Sequence, residues 1–406
     1  MRNINFSAKK AICSIYVIMA LWPLGVNAAT LPPDPDNAAL LYYQAFLLRP
    51  EPDDDISISI DEVIRGGEPD EKVREYLNLP DCRETIELVD AAAQLPYCDW
   101  GIRYSQGLEA NLPLLVHFRR LSFLVYAGAV VLATDGDYRA ALGRCLTMRQ
   151  LAGHVGDDLL INYLIFLQLD GLAYRCTRDV LGSMPTDADI LTWLRCRLVV
   201  VRDVFPSFVR ALEMDFELSI QSLSTNPDGL IRLREHLAKN TEDENTRNEI
   251  LGFTDEELIA FIRELYENFF NTVFHVIESE MTYEQKFLEI QRLSTIMEDK
   301  YAGYSYVGTG RIAEHYNLKV RNEAEFNALK AAIEIYLVVA NTGRLPEILP
   351  DYLPKDPFSS QDFEYEITET GFLLRCRAKD ILASQAMHPP GTNPDVMHEY
   401  EFELRM

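Results

Sequence analysis

Apolar positions recur at three- and four-residue steps through most of this chain, the spacing of one face of an α-helix. Between Leu112 and Gly182 three such stripes follow one another. Leu114, Leu115, Phe118, Leu121, Val125 and Ala129 form the first; Tyr138, Ala141, Leu142, Cys145, Leu146 and Ala152 the second. Leu160, Tyr163, Leu164, Leu167, Ala173, Cys176 and Val180 form the third, and Asp135-Gly136-Asp137 turns the chain between the first two. Thr186 with Asp189, Thr254 with Glu257 and Thr282 with Gln285 have the spacing of capping boxes and predict three further helix starts. Pro206 and Asn226-Pro227-Asp228-Gly229 break the pattern, and the polar run 240–248 reads as a surface turn.

Near the C-terminus the period changes. Ala324, Ala328, Ala331, Ala332, Ile335, Tyr336 and Val339 predict a helix from about residue 323, stopped by Asn341-Thr342-Gly343. Pro346, Pro350, Pro354 and Pro357 exclude a regular element next. Phe363, Tyr365 and Ile367, then Phe372, Leu374 and Cys376, alternate with polar residues around a Thr370-Gly371 turn, which predicts a hairpin with one apolar face on that helix. Tyr400, Phe402 and Leu404 alternate likewise as a third strand. The expected fold is mostly α: a helical array at 112–312, then a small α+β domain at 313–406 with a long helix and a three-stranded antiparallel sheet. Short helices and loops occupy 29–111.

Residues 1–28 read as a secretory signal: Arg2, Lys9 and Lys10, an apolar stretch from Ala11 to Val26, and Val26-Asn27-Ala28 as a cleavage site. Its removal takes the formal charge from −25 to −28, because the segment holds basic residues and no acidic ones. A mature chain so acidic repels nucleic acid and anionic lipid, and nothing downstream predicts a membrane span. Export to the periplasm or beyond is expected, with disulfides permitted among Cys82, Cys98, Cys145, Cys176, Cys196 and Cys376. The turn at Gly182-Ser183-Met184-Pro185 points to Cys176 with Cys196, and Cys82 with Cys98 is the next pairing.

Gly136-Asp137-Tyr138 followed by Ala140-Ala141 resembles a tetratricopeptide helix pair, without a repeated consensus. Gly343-Arg344-Leu345-Pro346, Tyr352-Leu353-Pro354, Asp356-Pro357-Phe358, Phe363-Glu364-Tyr365 and Gly371-Phe372-Leu373-Leu374 resemble the C-terminal half of the type II secretion major pseudopilin. The same block, with Cys98-Asp99-Trp100-Gly101, resembles a bacterial family of exported proteins of unknown function. The pseudopilin resemblance implies a calcium loop after the last hairpin, with Asp380, Asn393 and Asp395 as oxygen donors; only two are carboxylates, a sparse set for a hard cation. The N-terminus departs from that family, since an export signal stands where a pseudopilin carries a leader and a filament-forming helix.

Catalytic motifs are missing. The seven His are scattered singly, and Gly-x-Ser-x-Gly, Gly-x-Gly-x-x-Gly and phosphate-loop patterns do not occur. The sequence therefore predicts an exported, non-enzymatic interaction or scaffold protein with a partner in the cell envelope. Two alternatives stand beside it: an envelope-polymer hydrolase or lyase using acids such as Asp99, and a periplasmic binder of a small ligand in the helical groove.

Overall fold

Side-chain caps start most of the helices. Asn37, Asp53, Asp70, Asp137, Ser207, Asn226, Asp243 and Thr254 each accept a backbone N–H from the first turn that follows. Such a bond satisfies a donor that the helix itself leaves unpaired. The computed structural model describes residues 36–109, 115–156, 159–202, 205–241, 243–301, 309–386 and 396–405. The expected signal at 1–28 lies outside them.

The chain runs α1 (Ala38–Leu48), α2 (Asp54–Ile64), α3 (Glu71–Leu77), α4 (Pro80–Ala93), a 3-10 turn (Tyr104–Glu109), α5 (Leu115–Thr134), α6 (Tyr138–Val155) and α7 (Leu160–Ser183). Then come α8 (Ala188–Arg202), α9 (Phe208–Ser224), α10 (Pro227–Asn240), α11 (Glu244–Gly252), α12 (Asp255–Glu278), α13 (Tyr283–Tyr301) and α14 (Ile312–Thr342). Strands β1 (Glu364–Ile367) and β2 (Gly371–Arg375), the short α15 (Ile381–Ala386) and β3 (Glu399–Glu403) close it. The fold is mostly α with one small antiparallel sheet, as the periodicity predicts.

Helices α5, α6 and α7 pack on one another as the three stripes require, with α1 against α4 and both α2 and α3 against α5. Val116–Thr134 is long and apolar enough to cross a membrane, but half of that stretch is buried inside this helical core. Helix α14 is the spine of the molecule. Its 31 residues extend about 46 Å, and it touches α7, α8, α13 and β3. Gly343 ends it in the left-handed conformation (φ 74°), donating its N–H to Val339 O at 2.7 Å.

The sheet order is β1-β2-β3, with Tyr365 opposite Leu374 and Phe372 opposite Phe402. Phe372, Leu374, Tyr400 and Phe402 are buried. Tyr336 of α14 meets Phe372 edge-on at 5.6 Å, and Tyr174 of α7 meets Tyr400 at 6.1 Å. The tail thus shares one continuous core with the array, and residues 37–406 form one compact unit. Gly371 lets β2 and β3 approach: a Cβ there would lie 2.0 Å from Phe402 O.

Several expectations need correction. Ile367 lies at the end of an edge strand and is 50% exposed, so the inward face of β1 is incomplete. Asp187, not Thr186, caps α8, accepting from the N–H groups of Asp189 and Ile190. The polar run 240–248 carries the start of a helix, α11, capped by Asp243. The long helix starts eleven residues before its expected position. Cys176 does not face Cys196: α8 packs on α6 and α14, which leaves Cys196 exposed while Cys176 lies buried against Cys145. Cys82 and Cys98 are not joined either.

Candidate functional site

Arg149 and Asp170 stand on the apolar stripes of α6 and α7, where the helical period turns them into the core. Both are buried, at 1% and 0% side-chain exposure. Arg149 Nε donates to Asp170 Oδ1 at 2.6 Å and Nη2 to Oδ2 at 2.8 Å, a bidentate fork. Asn322 Nδ2 of α14 adds a bond to Oδ2 at 2.9 Å. The guanidinium lies 4.4 Å from the Phe326 ring centre and 5.6 Å from that of Phe205. A buried ion pair gives little net stability over an apolar packing of equal volume, whereas removing one partner is costly. What this one does is fix three helices and a loop relative to one another.

That fixed group underlies a cleft of about 430 Å³ between α7, the start of α9 and α14. Tyr163, Phe166, Phe205, Phe208 and Phe326 wall it, and Asn322 reaches both the cleft and the ion pair beneath. Lys319 and Glu323, one turn apart on α14, pair along one side of its rim at 2.7 Å. The Phe205–Ser207 wall is held close: a Cβ on Gly156 would meet Pro206 Cγ at 2.5 Å and Phe166 Cβ at 2.6 Å. Its volume and aromatic walls fall in the range of a binding pocket, and Ser207, Lys319, Asn322, Glu323 and Asn327 give it a substantial polar share. Glu325 also lies on α14, and its carboxyl is pushed up by burial and then by the Asp170 charge.

A second polar centre forms around Asp380. Its Oδ2 accepts from His398 Nε2 at 2.7 Å and from Asn317 Nδ2 at 3.3 Å, and its Oδ1 caps α15 through the Ala383 N–H at 2.9 Å. Tyr283 Oη donates to Asn317 Oδ1. Burial alone would raise the Asp380 carboxyl; the hydrogen bonds from His398, Ala383 N–H and Asn317 outweigh it and hold the group below its usual value. Both oxygens of the one described member of the expected calcium set are therefore engaged by N–H donors. Asn393 and Asp395 lie outside the described residues, and among the described residues no cluster of His, Cys, Asp or Glu has the makings of a metal site. Asp356, also fully buried, gathers the Phe358 and Arg377 N–H groups and the Ser359 hydroxyl.

Asp99 is exposed and shapes its own loop, accepting from Gly101 N at 2.8 Å and Tyr97 Oη at 3.2 Å. It presents Trp100, whose Nε1 donates to His154 O at 2.7 Å. Tyr42 Oη and His154 Nδ1 lie 3.0 Å apart, and burial pushes the His154 imidazole down to about 4. A wider, mixed-charge cleft of about 620 Å³ opens between α5, α7 and β3. Arg175, Arg405, Glu401 and Glu403 are among the residues that line it, and the Tyr126 hydroxyl bonds Asp179 at 3.0 Å.

Arg149, Asp170, Asn322 and His398 were not among the expected site residues. The sign was present for the first two: opposite charges on core-facing positions of consecutive helices. Comparison with protein-family models, with curated proteins and with solved structures finds no match to this chain.

Proposed function

We propose that this chain is an exported, non-enzymatic interaction protein of the cell envelope, gripping a protein partner through the aromatic cleft over Arg149 and Asp170. One observation carries the reading: the buried carboxylates Asp170 and Asp380 are engaged by fixed hydrogen bonds, and the cleft over the Arg149–Asp170 pair is walled by aromatic residues with the Lys319–Glu323 ion pair at its rim. Acid–base or nucleophilic catalysis needs a group whose proton or lone pair points at substrate. A large apolar side chain of the partner would enter between Phe205 and Phe208, while Lys319 and Glu323 meet its polar backbone. The pseudopilin-like tail then acts as a brace for α14, one wall of the cleft.

A photo-crosslinking residue at Glu323 tests this in intact envelopes. The expected result is one protein adduct, lost when Val209→Trp fills the cleft. Recovery of only the free monomer would count against a protein partner. A small-molecule mass retained by the purified chain in native mass spectrometry, and lost with the same tryptophan, would favour the small-ligand alternative.

A further inference from the structure

The seam between α6 and α7 is held at two levels. At one, Arg149 meets Asp170. Four residues back along α6 and six residues on along α7, Cys145 meets Cys176 with their Sγ atoms 3.3 Å apart. Both contacts obey the same antiparallel register, so the thiols are brought together by the helix pairing itself. Both are buried, at 1% and 0% exposure. A disulfide would need the sulfurs to come about 1.2 Å closer, within reach of small side-chain rotations.

We propose that Cys145 and Cys176 form a disulfide when the chain folds in an oxidising compartment, the setting implied by the export reading on which this step rests. The two thiols give up two protons and two electrons to a small or protein-borne disulfide such as glutathione disulfide. One Sγ–Sγ bond forms, the oxidant's bond breaks, and its two sulfurs leave as thiols. Once folded, the pair is shielded from solvent, and burial with the neighbouring Cys145 holds the Cys176 thiol far above its usual range. The bond therefore closes during folding and afterwards resists exchange. It locks the α6–α7 seam beneath the proposed cleft.

Refolding the reduced full-length chain in a glutathione redox buffer, then quenching with acid, alkylating in denaturant and mapping peptides, decides the pairing. The expected result is a linked Cys145–Cys176 peptide, two thiols fewer than the seven in the chain, and a melting temperature several degrees above that of the reduced protein. The Cys145→Ala/Cys176→Ala double variant keeps the core filled with small side chains and should lose that difference. Both cysteines alkylated in a chain that circular dichroism shows to be folded, or Cys176 linked to another cysteine, overturns the proposal. The same alkylation in freshly quenched cells reports on compartment. A linked pair there supports both readings, whereas pairing in the buffer with open thiols in cells counts against export and leaves the pairing intact.

Discussion

The two buried polar centres hang from the same helix, five residues apart, and are built on opposite logic. At Asn322 the array buries a guanidinium against a carboxylate, a forked ion pair held from the side by the Asn322 amide. At Asn317 the tail buries one carboxylate that collects N–H donors from α15, from the segment before β3 and from α14. The difference follows from what each region lacks. The interiors of α6 and α7 satisfy their own backbones, so the charges of Arg149 and Asp170 there are free to set register and to hold up the cleft. The tail's short α15 cannot satisfy its first N–H groups, and Asp380 supplies what the backbone misses. Charge positions regular elements in one place; in the other it replaces regularity.

The largest expected effect breaks the array's side of this contrast. Asp170→Ala leaves Arg149 charged and buried without its partner, and should cost about 3–5 kcal/mol in urea unfolding. Arg149→Met with Asp170→Leu removes both charges at similar volume and should return most of that stability. A double variant as unstable as the single one would mean that the pair contributes more than position.

Next in size is a separation in pH. His154, on the array's α6, has a folded value of about 4 against 6.5 for the free side chain. Its contribution is whole above pH 6.5 and is lost as pH falls towards 4, because the unfolded chain binds the proton first. The loss is on the order of 3 kcal/mol, and His154→Gln should flatten that stretch of the stability curve. The tail responds lower down. Asp380 is depressed below its usual 3.8, so its contribution is present above that value and disappears as pH falls through the folded one. Asp380→Ala, measured at pH 7, should cost about 2 kcal/mol through the lost cap and the lost bonds to His398 and Asn317. Acid titration of the Asp380→Ala variant should then lack the final step while retaining the His154 step.

Local rules were legible in the sequence, and long-range partnerships were not. Gly343 as the stop of α14, the hairpin register around Thr370-Gly371 and the capping boxes at Thr254 and Thr282 depend on residues a few positions apart. Asn322 with Asp170 spans 152 positions and Asn317 with Asp380 spans 63, so no periodicity reports them. Asp380 enters as a calcium donor only through the pseudopilin resemblance, and its bond to His398, 18 positions on, follows no local pattern. The cysteine pairing failed for a related reason. Neighbouring helices α7 and α8 were assumed to lie side by side, while the chain places α8 against α6 and α14.

The smallest effect joins the two centres. Glu325 lies on α14 near both: its carboxyl is raised by burial and by Asp170, and lowered by Arg321, His398 and Arg149, with the raising influences stronger. A carboxyl whose folded value lies above its unfolded 4.5 weakens the fold as pH rises through that folded value, since the unfolded chain ionises more readily. Glu325→Gln should therefore raise the melting temperature at pH 7 by up to a few degrees, with the gain fading below pH 4, where the wild-type carboxyl is already neutral. In an Asp170→Asn background the gain should shrink, because the like charge that opposes Glu325 is gone and the two substitutions are coupled. Full additivity would instead place the whole penalty on burial, and the array and tail centres would then be neighbours on one helix without electrical influence on each other.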